Sequence, residues 1–541
     1  MSKKAEVAVL LSLVEDTKST FFQTTLGEAY VSVPKDGHNE LYPIKSAHCR
    51  DWLGSLYYYK EKQAVGNGAM IDVLSTLEAK AKFGNKENKE PVTLHNRVAK
   101  VNDSFWYDLT NATWQAVEIT GKGWSVEQSP NLFMRYNHHI AQVTPERGGN
   151  VWDIFKYIPL NEEYQLLFLC WLITCYIPDI PHPLTVFYGE QGAAKTTTSE
   201  FIKSLIDPSQ TETLRLENDM DSLLVNLQQD WFIPFDNVSK ISVDVSDALC
   251  RSVTGAAVKK RKKYTDGEGY IFKFKRCISI NGINNVVLRP DLLDRSLLFH
   301  IGRIPKEERK ELSKIKEEFA QNKPRILGGI MDTLVKAKTI YPTVKLEQLP
   351  RMTDFTIWSY AIAEALGEGK GQQFLDEYEE NRGHQNEEAI DADPIASLVL
   401  DFMDGRTEAW SGIVSGLHTE LSKLALKQNI NARSIKFFSQ PNQLSRHMNS
   451  IKSNLEVAGI QYENHGHGRK GTIITLQKII DPETPEPPED TQIHEIINDT
   501  AIQVDADIPE TPEVTAISEV PKSKKPANAP ASSKQHQLEA V

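Results

Sequence analysis

The sequence predicts an α/β fold built on buried strands, and three stretches carry this prediction. Residues 184–188 are apolar, β-branched or aromatic and break at Gly189 into a loop of small residues, after which residues 200–206 have helical spacing. Residues 230–237 and 276–282 are two further apolar runs, and each ends in polar residues. Continuous apolar runs of this length are typical of strands that are buried on both faces of a parallel sheet.

The loop after the first strand has the composition of a polyphosphate-binding loop. A chain that curls without bulky side chains can point several backbone N–H groups at one anion, and the following helix presents its positive end there. Lys195 is expected to reach the β- and γ-phosphates of ATP, and the Thr196 hydroxyl to ligate Mg²⁺. Ala194 stands where such loops ordinarily have glycine. The alternative is an ordinary strand–turn–helix with a surface lysine. The predicted nucleotide-contacting residues are Gly189, Glu190, Gln191, Gly192, Ala193, Ala194, Lys195, Thr196 and Thr197.

The second apolar strand ends in Asp236 and Asn237. An acid at the tip of a strand beside the phosphate loop can hold Mg²⁺, so the metal site is predicted at Thr196 and Asp236. Asn237 occupies the position where many such ATPases have a glutamate that orients the attacking water. The alternative is a buried strand with a capping aspartate.

The third strand ends in Asn281, and two arginines follow it, Arg289 and Arg295. A strand-end asparagine can hold a γ-phosphate or water, and an arginine on a following turn can reach the nucleotide of a neighbouring subunit. The alternative is that both arginines pair with Asp291 and Asp294 in a helix cap. The predicted catalytic set is Lys195, Asp236, Asn237, Asn281, Arg289 and Arg295.

A run of five cations lies between the second and third strands: Lys259, Lys260, Arg261, Lys262 and Lys263. Asp266-Gly267 follows as a hairpin-turn signal with aromatic flanks. A hairpin of this kind can follow the phosphate backbone of DNA or RNA. A solvated surface and a nuclear-import signal are the alternatives.

Taken in order, these motifs resemble the ATPase of superfamily 3-type helicases, and more closely the primase/helicase-like ATP-binding proteins of phages and integrated mobile elements. The motifs are residues 189–197, 235–237, 279–282 and 289–295, and the similarity extends from about residue 49 to residue 476. The resemblance implies a P-loop AAA+ core that assembles as a ring, expected to be a hexamer, with ATP between subunits and single-stranded DNA gripped by the basic hairpins. No polymerase-like acidic pair precedes the ATPase, so priming is not expected.

Composition and charge agree with a cytoplasmic globular protein. The net charge is −12, but residues 481–519 contain twelve Asp or Glu and no Lys or Arg, so the rest of the chain is near neutral and DNA is not excluded. The longest apolar run, residues 164–177, is short of the ~20 residues of a membrane helix and predicts a buried helix. The first residues are charged and lead into a short apolar run without a small-residue cleavage site, so secretion is not expected. The five cysteines (Cys49, Cys170, Cys175, Cys250 and Cys277) form no CxxC pair, and we expect no zinc site.

The regions around the core differ in pattern. Breaks and alternation in residues 92–126 predict a small antiparallel sheet, and His138-His139 is expected to fill the surface or core. The predicted divisions are an unassigned segment (1–45), an α+β accessory or assembly domain (46–160), the P-loop core (161–305), a helical lid and linker (306–393, with the polar residues 377–393 as the linker), a winged-helix domain (394–478) and a disordered acidic tail (479–541), which could dock replication proteins.

Residues 394–478 predict three helices followed by a hairpin, which is the winged-helix pattern. Residues 443–458 form the last of the predicted helices. The predicted duplex contacts are Arg446 and Lys452 on this helix, with His447 beside them, and Arg469 and Lys470 on the wing. A winged helix that contacts protein is the alternative.

Two functions remain open from the sequence. The first is an ATP-dependent, ring-forming DNA helicase or translocase that replicates a phage or mobile element, with single-stranded and possibly duplex DNA as its partner. The second is a nucleotide-gated DNA-binding initiator or anti-phage sensor that binds ATP and hydrolyses it very slowly. The presence of Asn237 in place of glutamate is the reason for this alternative. Steady-state ATP hydrolysis with and without single-stranded DNA separates them.

Overall fold

A computed structural model describes the protein at residues 2–84, 90–130, 132–255, 275–305, 307, 309–347, 349–430, 435, 438–468 and 471–479, and describes the backbone alone at 258–261 and 269–272. The acidic tail that the sequence predicts to be disordered lies outside these ranges. Among the described helices, none has the length and apolar character that crossing a membrane requires.

The first part of the chain forms an α+β unit with a hydrophobic core of its own. The three strands pair antiparallel in chain order, and each helix contributes to the core, for example Leu10, Leu53 and Val73. The sequence leaves residues 1–45 unassigned, yet they supply the first helix and the whole sheet. The elements are α1 (Lys3–Asp16), β1 (Thr20–Gln23), β2 (Ala29–Lys35), β3 (His38–Pro43), α2 (Ala47–Glu61) and α3 (Asn67–Phe83).

Four short strands then form an antiparallel sheet in chain order, which confirms the small sheet predicted from alternation. They are β4 (Val98–Val101), β5 (Ser104–Asp108), β6 (Gln115–Ile119) and β7 (Trp124–Gln128). Phe105 and Val117 of this sheet belong to the same core as the central sheet. The predicted division at residue 160 therefore does not coincide with a break in the core.

The central sheet has five parallel strands in the order β14-β8-β13-β10-β9. Because the strands are parallel, their carboxyl ends share one edge, and β13 lies between β8 and β10. The predicted buried helix is confirmed as α4. The elements are α4 (Gln165–Thr174), β8 (Leu184–Tyr188), α5 (Lys195–Ile206), β9 (Leu214–Arg215), α6 (Met220–Gln229), β10 (Phe232–Asp236), α7 (Val243–Thr254), β11 (Val258–Arg261), β12 (Gly269–Phe272), β13 (Cys277–Gly282), α8 (Pro290–Leu293) and β14 (Ser296–His300).

Three helices follow: α9 (Leu312–Ile340), α10 (Thr353–Leu366) and α11 (Lys370–Asp391). The prediction of a linker over residues 377–393 is wrong, because α11 continues through most of it. Its polar residues suggested a linker, but several are buried against β14, the edge strand of the sheet. Asn381 donates to Leu298 O (2.6 Å) and accepts from Leu298 N (3.0 Å), and Gln385 donates to Ser296 O (2.8 Å). These amides supply the hydrogen bonds that a further strand would make.

Replacing Asn381 with alanine should lower the free energy of unfolding by about 2–3 kcal/mol, because it leaves both backbone groups of Leu298 buried without a partner. Urea denaturation measures this loss. Gln372→Ala is the matched control, since this amide lies exposed on the same helix and donates to Asp376. Equal stability of the two variants would contradict the role assigned to Asn381.

The C-terminal part also has a core of its own. The predicted helix over residues 443–458 is two helices that meet at Ile451, so Arg446 and Lys452 lie on different helices. The three strands pair in the order β15-β17-β16. The elements are α12 (Pro394–Met403), β15 (Trp410–Ile413), α13 (Val414–Lys427), α14 (Pro441–Ser450), α15 (Lys452–Val457), β16 (Ile460–Gly468) and β17 (Gly471–Lys478).

Candidate nucleotide-binding site

The loop between β8 and α5 has left-handed backbone angles at three positions. φ is +146° at Gly189, +83° at Gly192 and +58° at Ala194. Gly189 has no room for a side chain, since an added Cβ would lie 2.2 Å from the carbonyl oxygen of Ile301. Ala194, the N-cap of α5, takes the left-handed conformation at a cost of about 1–2 kcal/mol. The loop therefore has a glycine-type curl even though alanine replaces the usual glycine.

Lys195 is the first residue of α5, and its ammonium lies within the curl of the loop. Nζ donates to the carbonyl oxygens of Gly189 (2.8 Å) and Glu190 (2.7 Å). Burial lowers the pKa of Lys195 below its ordinary value, and Asp236 partly offsets this effect. The ammonium is thus held by neutral carbonyl groups, which a phosphate oxygen could replace with a stronger, charge-assisted bond.

Thr196 and Asp236 come together across the carboxyl edge of the sheet. The Thr196 hydroxyl donates to Oδ1 (3.1 Å) and Oδ2 (3.3 Å) of Asp236. A hydroxyl and a carboxylate are hard oxygen donors of the kind that Mg²⁺ takes through direct or water-mediated contacts. The two side chains therefore fit the predicted metal.

Asn281 lies between the loop and Asp236 because β13 lies between β8 and β10. Its buried amide donates to Ser199 Oγ (3.2 Å) and accepts from Asn237 N (2.8 Å). Asn237 is exposed and has φ of +52°. Asn281 thus holds α5 and the turn after β10 in register. Ser199 is not among the site residues predicted from the sequence. Its position one helical turn after Lys195 places it on the same face of α5 and could have indicated this contact.

Arg295 is not part of the site in its own chain. Its carbonyl oxygen accepts from Leu184 N (2.8 Å), so it lies at the amino end of β8, about 13 Å from the loop edge at ~3.3 Å per residue. Its side chain pairs with Asp291 (2.6 Å), which also binds Arg351 (2.9 Å). Half of the predicted cap pairing is therefore present.

Arg289 departs from the predicted cap. Its guanidinium pairs with Asp247 (2.6 Å) on α7 and donates to Val243 O (3.1 Å). Asp294 pairs instead with Arg351 (3.0 Å). Asp247 is not predicted from the sequence as a partner, because it lies 42 positions from Arg289 along the chain.

The predicted nucleic-acid contacts lie in two places. β11 and β12 pair antiparallel, which confirms a two-stranded hairpin whose first strand carries Lys259, Lys260 and Arg261. Lys262 and Lys263 lie outside the described residues, as does the hairpin tip.

In the C-terminal part, Arg446 is exposed on α14, and exposed Lys452 pairs with Glu456 (3.5 Å). His447 is bound to Asp393 (2.5 Å) rather than free for DNA. Arg469 and Lys470 lie outside the described residues.

Two family models match the chain in succession. The model described as "Actinomycete integrative conjugative element replication protein" matches residues 157–380, and the model described as "AICE RepA C-terminal domain" matches residues 395–488. The first match includes the loop, Asp236, Asn281 and both arginines. These matches support a replication protein of a mobile element and do not single out superfamily 3. A comparison with curated proteins found no match.

Solved structures with a similar course include "The A form apo structure of NrS-1 C terminal region-CTR", with 11% identity over 87% of this chain and 98% of that chain at a TM-score of 0.37. "The apo structure of NrS-1 C terminal region (305-718)" has 12% identity over 87% of this chain and 99% of that chain, also at 0.37. At this TM-score the similarity is too low to support an argument.

Proposed function

We propose, on the two matches that support a replication protein of a mobile element, that this chain is an ATP-dependent DNA helicase or translocase that works as a ring. The observation that carries the proposal is the meeting of Lys195, Thr196 and Asp236 at the carboxyl edge of a parallel sheet. A curled loop, a helix N-terminus and a Thr–Asp pair at one edge are the components of a nucleoside triphosphate site.

The chain's own residues divide the work of that site. Lys195 would exchange its carbonyl partners for the terminal phosphates, and Thr196 and Asp236 would hold Mg²⁺, which would supply a positive charge that neutralises developing negative charge. Asn281 fixes the turn that carries Asn237 and so sets where the end of the phosphate chain can lie. Each of these residues binds or positions, which is the main demand that phosphoryl transfer makes on a protein.

A second subunit completes the proposed site. Arg295 stands at the opposite edge of the sheet from its own loop, so it can stabilise transition-state charge only on a nucleotide of a neighbour. A closed ring supplies that neighbour to every subunit. The basic hairpin would grip one DNA strand and move with the nucleotide state.

Strand displacement on a forked DNA substrate tests the proposed function. ATP should support displacement, and a non-hydrolysable analogue should not. Neutralising Lys259, Lys260 and Arg261 together should remove DNA stimulation and keep basal ATP hydrolysis. Normal strand displacement by that variant would contradict the DNA-binding role of the hairpin. If the unaltered protein displaces no strand, the proposed helicase activity is wrong.

A second candidate function rests on Asn237. This exposed amide stands where a water-orienting carboxylate is expected, and a neutral side chain is a poor proton acceptor. A nucleotide-gated initiator that binds ATP with little turnover fits this position. Fast hydrolysis stimulated by single-stranded DNA would exclude it, whereas tight ATP binding without turnover would favour it.

Mixing two inactive variants should restore ATP hydrolysis if the site lies between subunits. In a random ring of Lys195→Ala and Arg295→Ala chains, about a quarter of the interfaces join an intact Lys195 to an intact Arg295. We expect about a quarter of normal turnover from the mixture and almost none from either variant alone. Repeating the mixture with Arg289→Ala in place of Arg295→Ala shows which arginine contributes to ATP hydrolysis at the neighbouring site. A mixture as inactive as its components would contradict a shared site.

A further inference from the structure

A buried cluster lies at the amino edge of the central sheet, away from the nucleotide loop. It comprises Cys175 just after α4, His182 just before β8 and Cys277 at the start of β13. One ligand atom of each lies within 4.8 Å of those of the other two, and all three residues are 0% exposed. Elements about a hundred residues apart in the chain thus bring two thiols and an imidazole to one point.

His182 is the unexplained member of this cluster. Neither ring nitrogen has a hydrogen-bond partner of acceptable geometry among the described residues, although the Cys277 thiol lies beside the ring. A buried polar atom without a partner destabilises the fold. Pro181 and Pro183 flank His182 and restrict its backbone, so the ring cannot easily turn away. Such an orphan in a packed core calls for an ion or water.

Other buried cysteines show that burial alone does not produce this arrangement. Cys170 lies on α4, is also 0% exposed and belongs to neither potential metal-binding group of the described residues. The other group is His138, His139 and Asp230, but two of its three members already bind other groups of the protein. His139 Nε2 lies 3.0 Å from Gln229 O, and Lys203 lies 2.7 Å from Asp230.

We propose that Cys175, His182 and Cys277 bind one thiophilic metal ion, which we assign as Zn²⁺. Nitrogen and sulfur donors are the set that Zn²⁺ takes, and tetrahedral bonds of ~2.3 Å to sulfur place two thiolates about 3.7 Å apart. The observed separations of up to 4.8 Å need a contraction of about 1 Å at most. The sequence-based expectation of no zinc site considered only CxxC spacing and could not detect ligands from separate elements.

Charge balance favours Zn²⁺ over Cu⁺, the other soft ion that thiolates select. Two thiolates and a neutral imidazole around Zn²⁺ give a centre of zero net charge, which is the least costly to bury. Binding releases both thiol protons to solvent and leaves the oxidation states unchanged.

The surroundings indicate a structural role. Trp231 Nε1 donates to Cys175 O (2.8 Å), Cys277 N donates to Trp231 O (3.1 Å), and the Trp231 ring packs edge-on against His182. A metal here would tie α4 to the starts of β8 and β13 on the side of the sheet opposite the loop. Its protein ligands number three among the described residues, and a water would complete four-coordination and keep the centre neutral.

The untagged full chain, purified without chelators, tests the site. We expect about one zinc per chain by elemental analysis, and copper in its place would identify Cu⁺ instead. After exchange to Co²⁺, a thiolate-to-cobalt charge-transfer band should appear. X-ray absorption on the unaltered protein should report two sulfur ligands and a nitrogen ligand, so the result does not depend on a core variant that folds.

Cys277→Ala and Cys170→Ala form the matched pair, because both remove a fully buried thiol and only one removes a ligand. Cys277→Ala should lose the ion and the band, and Cys170→Ala should keep both. A chain that takes up neither Zn²⁺ nor Co²⁺ through sulfur would overturn the proposal. So would equal metal content in the two variants, or a Cys175–Cys277 disulfide in the protein as isolated.

Discussion

Replacing Lys195 with alanine is expected to lower ATP hydrolysis by about 100-fold or more and to abolish strand displacement. The ammonium lies inside the curled loop, 2.7–2.8 Å from two carbonyl oxygens, where a terminal phosphate would meet it. Removing one preorganised charge from a phosphoryl-transfer site costs about that much in rate. Steady-state phosphate release and displacement of a labelled strand measure the two effects.

Lys314→Ala is the control for this variant, because Lys314 is an exposed lysine whose pairing with Glu311 lies on the surface. It should leave both activities unchanged. Lys195→Ala should also keep its thermal denaturation midpoint, since the hydrogen bonds it loses are exposed or partly exposed. Hydrolysis that persists in Lys195→Ala would show that the loop is not the catalytic site.

Replacing Arg97 with methionine is expected to destabilise the fold by about 3–5 kcal/mol, the cost of removing one partner from a buried network of charges. Arg97 is buried directly before β4. Its Nε donates to Asp207 (2.8 Å), which directly follows α5. Lys203 of the same helix also binds Asp207 (3.0 Å) and Asp230 (2.7 Å). Methionine keeps most of the volume, so urea denaturation reports mainly the lost charge.

The matched control is Arg382→Met, which breaks an exposed pair with Glu379 and should change stability by less than about 0.5 kcal/mol.

The dependence of stability on acid pH provides a second measurement of this network. Burial alone would raise the pKa of Asp207, but Lys203 and Arg97 outweigh it and hold that pKa well below its ordinary range. The stability it contributes is therefore present above pH ~4 and lost as the pH falls further. Arg97→Met should show a smaller acid-dependent loss, and an unchanged acid profile would contradict this coupling.

Local patterns predicted the centre of this protein well. Apolar runs gave β8, β10 and β13, and glycines with Lys195-Thr196 marked the loop, because these signals depend on neighbours in sequence. The parallel register then placed Asp236 and Asn281 at one edge. The nucleotide, the metal and the arginine of the neighbour remain predictions, since they depend on molecules outside a single chain.

Long-range pairing accounts for what the sequence did not predict. Asn381 and Gln385 belong to a polar stretch that suggests a linker, and only the exposed edge of β14 gives them a buried role. Asp247 holds Arg289 from another helix. The thiols of Cys175 and Cys277 lie 102 positions apart in the chain and meet only through the packing of α4 on the central sheet. No local spacing rule detects such contacts.

The continuity of α11 has a mechanical consequence. This helix of 22 residues, about 33 Å long, is fastened near its middle to β14 by amide side chains, and its last turns place Ile390 in the C-terminal core and bind Asn386 to Asn454 O (3.1 Å). Because this helix is continuous and bound at both places, a displacement at β14 reaches the C-terminal part without passing through a flexible linker. Any shift of the sheet edge on nucleotide exchange would therefore swing the C-terminal part as a lever arm.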